Sequence, residues 1–261
     1  SGYLIPTIII SEMAEGKFSI VNFYERRARR ILPALYFLLI VATIYALYTS
    51  PMYGRDIFQS IFATTVFAEN ILLYIESSNY FDVGVSQKLL FHTWSLGVEE
   101  QYYLFFPIFL ILFWSSGKKN IVWVIAILAF FSFILSEWGW RNYPIFNFYL
   151  SPTRAWELFA GSLVAFYLDK KSQQSNQLKS FVGMILIASA IYFYDETTPF
   201  PSIYTLVPVI GTALIIIFAD SKTLVAKVLS SKYLVGIGLI SFSAYLWHQP
   251  IFVFYEREME D

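Results

Sequence analysis

Seven apolar runs, each close to the length that crosses a bilayer, divide this chain: Pro33–Ser50, Trp94–Trp114, Ile121–Glu137, Ser151–Leu168, Ser180–Tyr194, Ile203–Ala219 and Tyr233–Tyr255. A helix needs about 20 predominantly apolar residues to cover the hydrocarbon core. Inside lipid the backbone must satisfy its own hydrogen bonds, which leaves helices or closed barrels, and runs this continuous predict helices. The expected fold is all-α, a polytopic transmembrane helix bundle. Tyr45, Tyr48, Tyr53, Trp138, Trp140 and Tyr143 at the run ends act as interfacial anchors. Composition agrees, with 57% hydrophobic and 14% charged residues against about 25% charged in soluble chains, and excludes a soluble enzyme. A net charge of −1 with Lys and Arg in loop-sized clumps excludes a nucleic-acid partner. The absence of Cys removes disulfides, thiolate metal sites and thiol nucleophiles. No metal site is expected, and two His remain for acid–base work.

An eighth run, Ile57–Ile75, is helical in pattern but carries Gln59, Thr64, Thr65, Glu69 and Asn70. If it crosses, with the Arg cluster at 26–30 cytoplasmic, the 18 Lys and Arg divide nine inside and nine outside. If it does not, thirteen lie inside and only Arg55, Lys88, Arg141, Arg154 and Arg257 outside. The positive-inside rule favours the second arrangement, so Ile57–Ile75 is expected to be a non-crossing or re-entrant segment, followed by a partly buried outer loop around Asp82 and Gly84. The chain opens Ser1-Gly2-Tyr3-Leu4-Ile5, with neither Met nor a signal peptide. Tyr3–Ile10 is too short to span and reads as the last turns of a helix that begins earlier.

Polar residues inside these runs are where chemistry is expected. Gly16 to Pro33 reads GKFSIVNFYERRARRILP, an interfacial amphipathic helix running into a span, with Phe18, Ile20, Phe23 and Tyr24 beside the arginines. The arginines either anchor anionic lipid or clamp the phosphates of an acidic ligand. Arg27–Arg30 and Arg26–Arg29 both have the one-turn spacing such a clamp needs. Phe91 to Pro107 reads FHTWSLGVEEQYYLFFP. Intramembrane carboxylates cost about 2.5–3.5 kcal/mol each at a helix centre, so Glu99 and Glu100 are either functional or stabilised by a helix start. Ser95 and Glu99 share a face, with His92, Trp94 and Gln101 close by. Arg154 and Glu157, at i and i+3, form either a structural pair or a ligand site, and Gly161 and Ser162 allow close helix packing. His248, near the end of the last run with Tyr245 and Trp247 beside it, is either a polar anchor or part of a site.

These blocks, in this order, resemble the acyltransferase-3 family of bacterial membrane O-acyltransferases. The matching elements are SGYLI, GKFSIVNFYERRARRILPAL, LLFHTWSLGVEEQYYLFFP, RAWELFAG and SFSAYLWHQPI, which together span nearly the whole chain. The resemblance implies a multi-pass protein of the bacterial inner membrane. Such a protein moves an acyl group, usually acetyl, from cytoplasmic acyl-coenzyme A (acetyl-CoA) to a hydroxyl of an extracytoplasmic carbohydrate such as lipopolysaccharide O-antigen, exopolysaccharide or peptidoglycan. It implies that Arg27 and Arg30 meet the coenzyme A phosphates, with Arg26 and Arg29 as helpers. Trp94, Ser95, Glu99 and Gln101 then line the place where acyl group and acceptor meet, while Arg154, Glu157 and His248 shape the acceptor side.

The resemblance also implies a single domain over 1–261 that lacks the family's first helix, most of its second and its last. Such a fragment is expected to be inactive alone, because the histidine the family uses as base has no counterpart in it. Membrane lipids and a carbohydrate acceptor are the expected partners. The alternative readings are a non-catalytic membrane scaffold and a transporter of lipid-linked or acylated substrate, the latter predicting inverted repeats that the sequence does not display.

Overall fold

The computed structural model describes residues 1–48, 51–77, 88–171 and 173–260, and every regular element among them is a helix. In chain order these are α1 (Leu4–Ala14), α2 (Ile20–Tyr48), α3 (Pro51–Thr65), α4 (Glu69–Ser77), α5 (Thr93–Phe113), α6 (Lys118–Asn142), α7 (Pro144–Tyr149), α8 (Ser151–Lys170), α9 (Gln177–Phe193), α10 (Leu206–Phe218), α11 (Leu224–Leu229) and α12 (Lys232–Glu260). Four are long and apolar enough to cross a membrane: α2, α5 with its 3-10 extension to Ser116, α6, and α12 as far as Tyr255. The other three expected spans are helical but differ from these. α8 has 20 residues but carries Arg154, Glu157, Asp169 and Lys170, whereas α9 and α10 are apolar with 17 and 13 residues. Asp82 and Gly84 lie outside the described residues.

The chain divides into two compact units. One comprises Ser19–Gln101 with Ile237–Asp261. Its core is a stripe on α2, Leu35, Leu38, Leu39, Ala42 and Ala46, packed with Ile57, Leu89, Leu90, Leu96, Leu246 and Val253. That spacing follows one face of a 3.6-residue period. Yet Tyr36, Phe37, Ile40, Ile44 and Leu47 on other faces are exposed, so from Ile31 onward α2 is apolar all round, as a lipid-facing helix is. The expected interfacial helix is not a separate element. It forms the first turns of α2, which runs for 29 residues through Pro33 without interruption.

Ile57–Ile75 forms two helices, of 15 residues in α3 and 9 in α4, each too short to span. Phe67 separates them with φ 56. Around it Phe67 N donates to Thr64 O at 3.1 Å and Ala68 N to Ala63 O at 2.8 Å, the paired bonds of a Schellman helix end. That left-handed position normally holds Gly, and a side chain there costs about 1–2 kcal/mol. α5 helps to hold the elbow: Gln101 Nε2 donates to Phe67 O at 3.0 Å and to Asn70 Oδ1 at 2.9 Å. One turn earlier Gly97 lies so close that a Cβ would sit 3.0 Å from both acceptors.

The other unit comprises Ser1–Phe18 and Tyr102–Gly236, in which α6 packs on α8, α9 on α10 and α1 on α8. Small residues set these approaches, as expected of helices packed in lipid. A Cβ on Gly161 would fall 2.5 Å from the Gly2 backbone, and one on Gly183 would fall 2.7 Å from Gly211 O. Ser162 Oγ lies 2.5 Å from Tyr102 Oη and also donates to Leu158 O at 3.0 Å. Gly161 and Ser162 thus do allow the close packing the sequence predicts.

Candidate functional site

His92, one residue ahead of α5, is 6% exposed, and both its ring nitrogens are buried without a hydrogen-bond partner of ordinary geometry. Its ring lies edge-on to Tyr245 at 5.1 Å and to His248 at 5.0 Å. Burial, reinforced by the His248 ring, lowers its pKa to about 3, so the imidazole is neutral at physiological pH. Tyr245 Oη donates to the His92 carbonyl at 2.7 Å, which leaves its oxygen to accept from Ser95 Oγ at 3.0 Å. His248 is exposed, and its Nδ1 is 2.6 Å from Tyr245 O. A carbonyl can only accept, so Nδ1 carries a proton and Nε2 is turned away from this contact. Two segments 150 residues apart thereby meet in a cluster of imidazole, phenol and hydroxyl groups.

The two carboxylates of α5 separate by environment. Glu100 Oε1 accepts from Arg27 Nη2 at 3.1 Å in a largely enclosed pair, with side chains 16% and 11% exposed. Glu99 is half-buried and acts electrostatically on Tyr245. Of the other arginines, Arg29 pairs with Glu25 at 2.7 Å on the surface, while Arg26 and Arg30 are exposed. The Arg27–Arg30 pair is therefore divided, Arg27 facing a carboxylate and Arg30 facing outward. Trp94 is half-buried, and Gln101 is committed to the α3–α4 elbow.

In the other unit Arg154 Nη1 donates to Phe148 O at 3.0 Å, and the guanidinium lies over the Phe148 and Phe200 rings at 5.5 and 4.8 Å. Glu157 is only a loose partner at 3.8 Å, with its Oε1 buried and without a hydrogen bond. A carbonyl and two aromatic faces thus share with the carboxylate in holding this arginine.

Sequence reasoning passed over two residues of this region. Tyr245 read as a neighbour of His248, although its hydroxyl joins α12 to the head of α5. Glu69 read only as polarity against crossing. It is 0% exposed, within a set of buried polar side chains from Ser60, Thr64, Asn70 and Thr93. Charged residues in an apolar run are seldom without a function, and that was the available signal.

The profile of an acyltransferase domain, Acyl_transf_3, matches residues 1–259. The chain belongs to the acyltransferase-3 family. It is 32% identical over 232 residues to an uncharacterized protein of Haemophilus influenzae, covering 83% of this chain and 94% of that one. It is 27% identical to the peptidoglycan O-acetyltransferase OatA of Listeria monocytogenes, over 96% of this chain and 43% of that protein. It is also 27% identical to the O-acetyltransferase OatA of Staphylococcus aureus, over 97% of this chain and 44% of that protein. The chain thus spans less than half the length of these two O-acetyltransferases. No solved structure matches it.

Proposed function

We propose that this chain is the membrane domain of an O-acyltransferase that moves an acetyl group from cytoplasmic acetyl-CoA to a carbohydrate hydroxyl outside the cytoplasmic membrane, with cell-wall peptidoglycan the favoured acceptor. The observation that carries this reading is the family match over residues 1–259, and the names of the OatA relatives support the acceptor class. The transfer forms a bond from the acceptor oxygen to the acyl carbon and breaks the thioester C–S bond. The hydroxyl proton passes to a base and then to the leaving thiolate, because a sugar hydroxyl is a weak nucleophile until a positioned base takes its proton.

In this reading Arg30 and Arg26, exposed on the first turns of α2, contact the donor phosphates, and the enclosed Arg27–Glu100 pair fixes α2 against α5. Ser95, Tyr245 and Glu99 line the acceptor approach, while Trp94 bounds it. His248 presents Nε2 to the acceptor or to a water beside it. The histidine that the family resemblance assigns as base has no counterpart among the two of residues 1–261, so His248 is proposed as an acceptor contact. Seven spans, with α8, α9 and α10 joining the four longest helices and α3–α4 staying on the outer side, complete the topology.

Mass spectrometry of peptidoglycan and surface glycans from cells carrying and lacking the intact gene tests the proposal. Loss of acetyl ester in the deletion and its return with the full-length protein is the expected result. Unchanged acetylation of every glycan, with the protein present in the membrane, overturns it.

A further inference from the structure

Glu69 has no part in the transfer just described, yet it is 0% exposed at the start of α4. Its Oε1 accepts from Ser60 Oγ at 2.8 Å. Its Oε2 is buried with no hydrogen bond of ordinary geometry, and the Thr64 hydroxyl lies beside the carboxyl. The hydroxyl protons decide what that neighbour can offer. Thr93 Oγ1 donates to Leu90 O at 2.8 Å, and a hydroxyl has a single proton. Thr64, 2.9 Å from Thr93 Oγ1, therefore uses its own proton on Thr93 and presents Glu69 with a lone pair. An ionised carboxylate facing a lone pair is repelled, whereas a carboxylic acid donates into it. Among the described residues the charged groups that bear on Glu69 are Glu76 and Lys88. These pair with each other at 2.5 Å and largely cancel.

We propose that Glu69 is held as a neutral carboxylic acid directed at Thr64, and that through the Thr64–Thr93 hydroxyl chain it is a positioning residue for the His92 turn at the head of α5. The proposal deepens the reading of that turn as part of the transfer site and, for its effect on turnover, rests on it. Burial is the largest influence on the carboxyl and raises its pKa to about 8, outweighing the hydrogen bond from Ser60. On losing its proton, Glu69 draws the Thr64 proton to itself, the Thr64–Thr93 bond is given up, and the turn bearing His92 loses its support.

The linkage has a definite sign. The folded Glu69 titrates at about 8 and the unfolded side chain near 4.5. Its stabilising contribution is complete below the lower value, diminishes as pH rises and is gone above the higher. His92 runs the other way, with about 3 folded against 6.5 unfolded, so its contribution is complete above 6.5 and diminishes as pH falls towards 3. The two opposed slopes cancel between 4.5 and 6.5, so from these groups stability is level there and declines on either side.

Three readouts on the purified full-length protein test this. Infrared spectroscopy is expected to show a protonated-carboxyl stretch that disappears as pH passes about 8 and is absent from Glu69→Gln, an isosteric change. Thermal unfolding is expected to decline on the alkaline side in the wild type but not in Glu69→Gln. Thr93→Val, which frees the Thr64 proton to donate to Glu69, is expected to move the infrared titration to lower pH. In a transfer assay, kcat is expected to fall about tenfold from pH 7 to pH 9 as one proton is lost, with KM for the donor unchanged and the fall abolished in Glu69→Gln. Identical infrared spectra for wild type and Glu69→Gln, or an unmoved titration in Thr93→Val, overturns the proposal. An absence of any transfer, with the infrared and unfolding results as expected, overturns the acyltransferase reading and leaves the protonated Glu69 standing.

Discussion

Arg27 and Arg30 sit one turn apart on α2 in different surroundings, and their substitutions are expected to read out differently. Arg27 is enclosed with Glu100 at 3.1 Å. Removing one partner of such a pair leaves the other charge with neither water nor counter-ion. Arg27→Ala is expected to lower stability by about 2 kcal/mol, below the 3–5 kcal/mol of a fully buried pair because some exposure remains. Adding Glu100→Gln on that background is expected to restore part of the loss, as thermal unfolding in detergent would reveal. Arg30 is exposed, and no ion pair holds it among the described residues. Arg30→Ala is expected to leave unfolding unchanged and to raise KM for the acyl donor about tenfold, the worth of one charge-assisted phosphate contact. Equal donor KM in wild type and Arg30→Ala would remove Arg30 from the donor site.

The α3–α4 elbow inverts a usual preference between two small residues. With φ 56 at Phe67, Phe67→Gly is expected to unfold at higher temperature than Phe67→Ala by about 1 kcal/mol, because only glycine adopts this conformation without strain. The reverse order would show that the elbow is not held in solution. This element also marks how far the sequence could be read. Gln59, Thr64, Thr65, Glu69 and Asn70 left open whether Ile57–Ile75 crosses, the division of Lys and Arg favoured a segment that does not, and the structure forms two short helices there, α3 and α4. The position of the break was hidden, because a Schellman end is recognised by its glycine and none occurs between Ile57 and Ile75. The clustering of His92, Ser95 and Glu99 was legible from helical spacing. Arg27–Glu100, Ser95–Tyr245 and Gln101–Phe67 were not, since each joins segments distant in sequence and no local period encodes such a meeting. Gln101, expected to line the site, is used instead to hold the elbow.

At the scale of the whole chain, the proposed seven-span topology makes a prediction that the absence of cysteine renders easy to check. A single cysteine at Ser175, between α8 and α9, is expected to react only with reagents that reach the cytoplasm. One at Thr198, after α9, is expected to react with impermeant reagents from outside. Labelling of both from one face would mean that α9, with its 17 residues, does not cross. The same scale gives meaning to the continuity of α2. Its arginines and its core stripe belong to one rod, and at 1.5 Å per residue Arg30 stands only about 18 Å from Ala42. Between the arginines and that stripe the shaft has no loop, and Pro33 is its sole proline. Were a donor held by those arginines as proposed, any swing of their end of the rod would be carried to the buried leucines at its middle, as a key carries the turn of the hand to the levers of a lock.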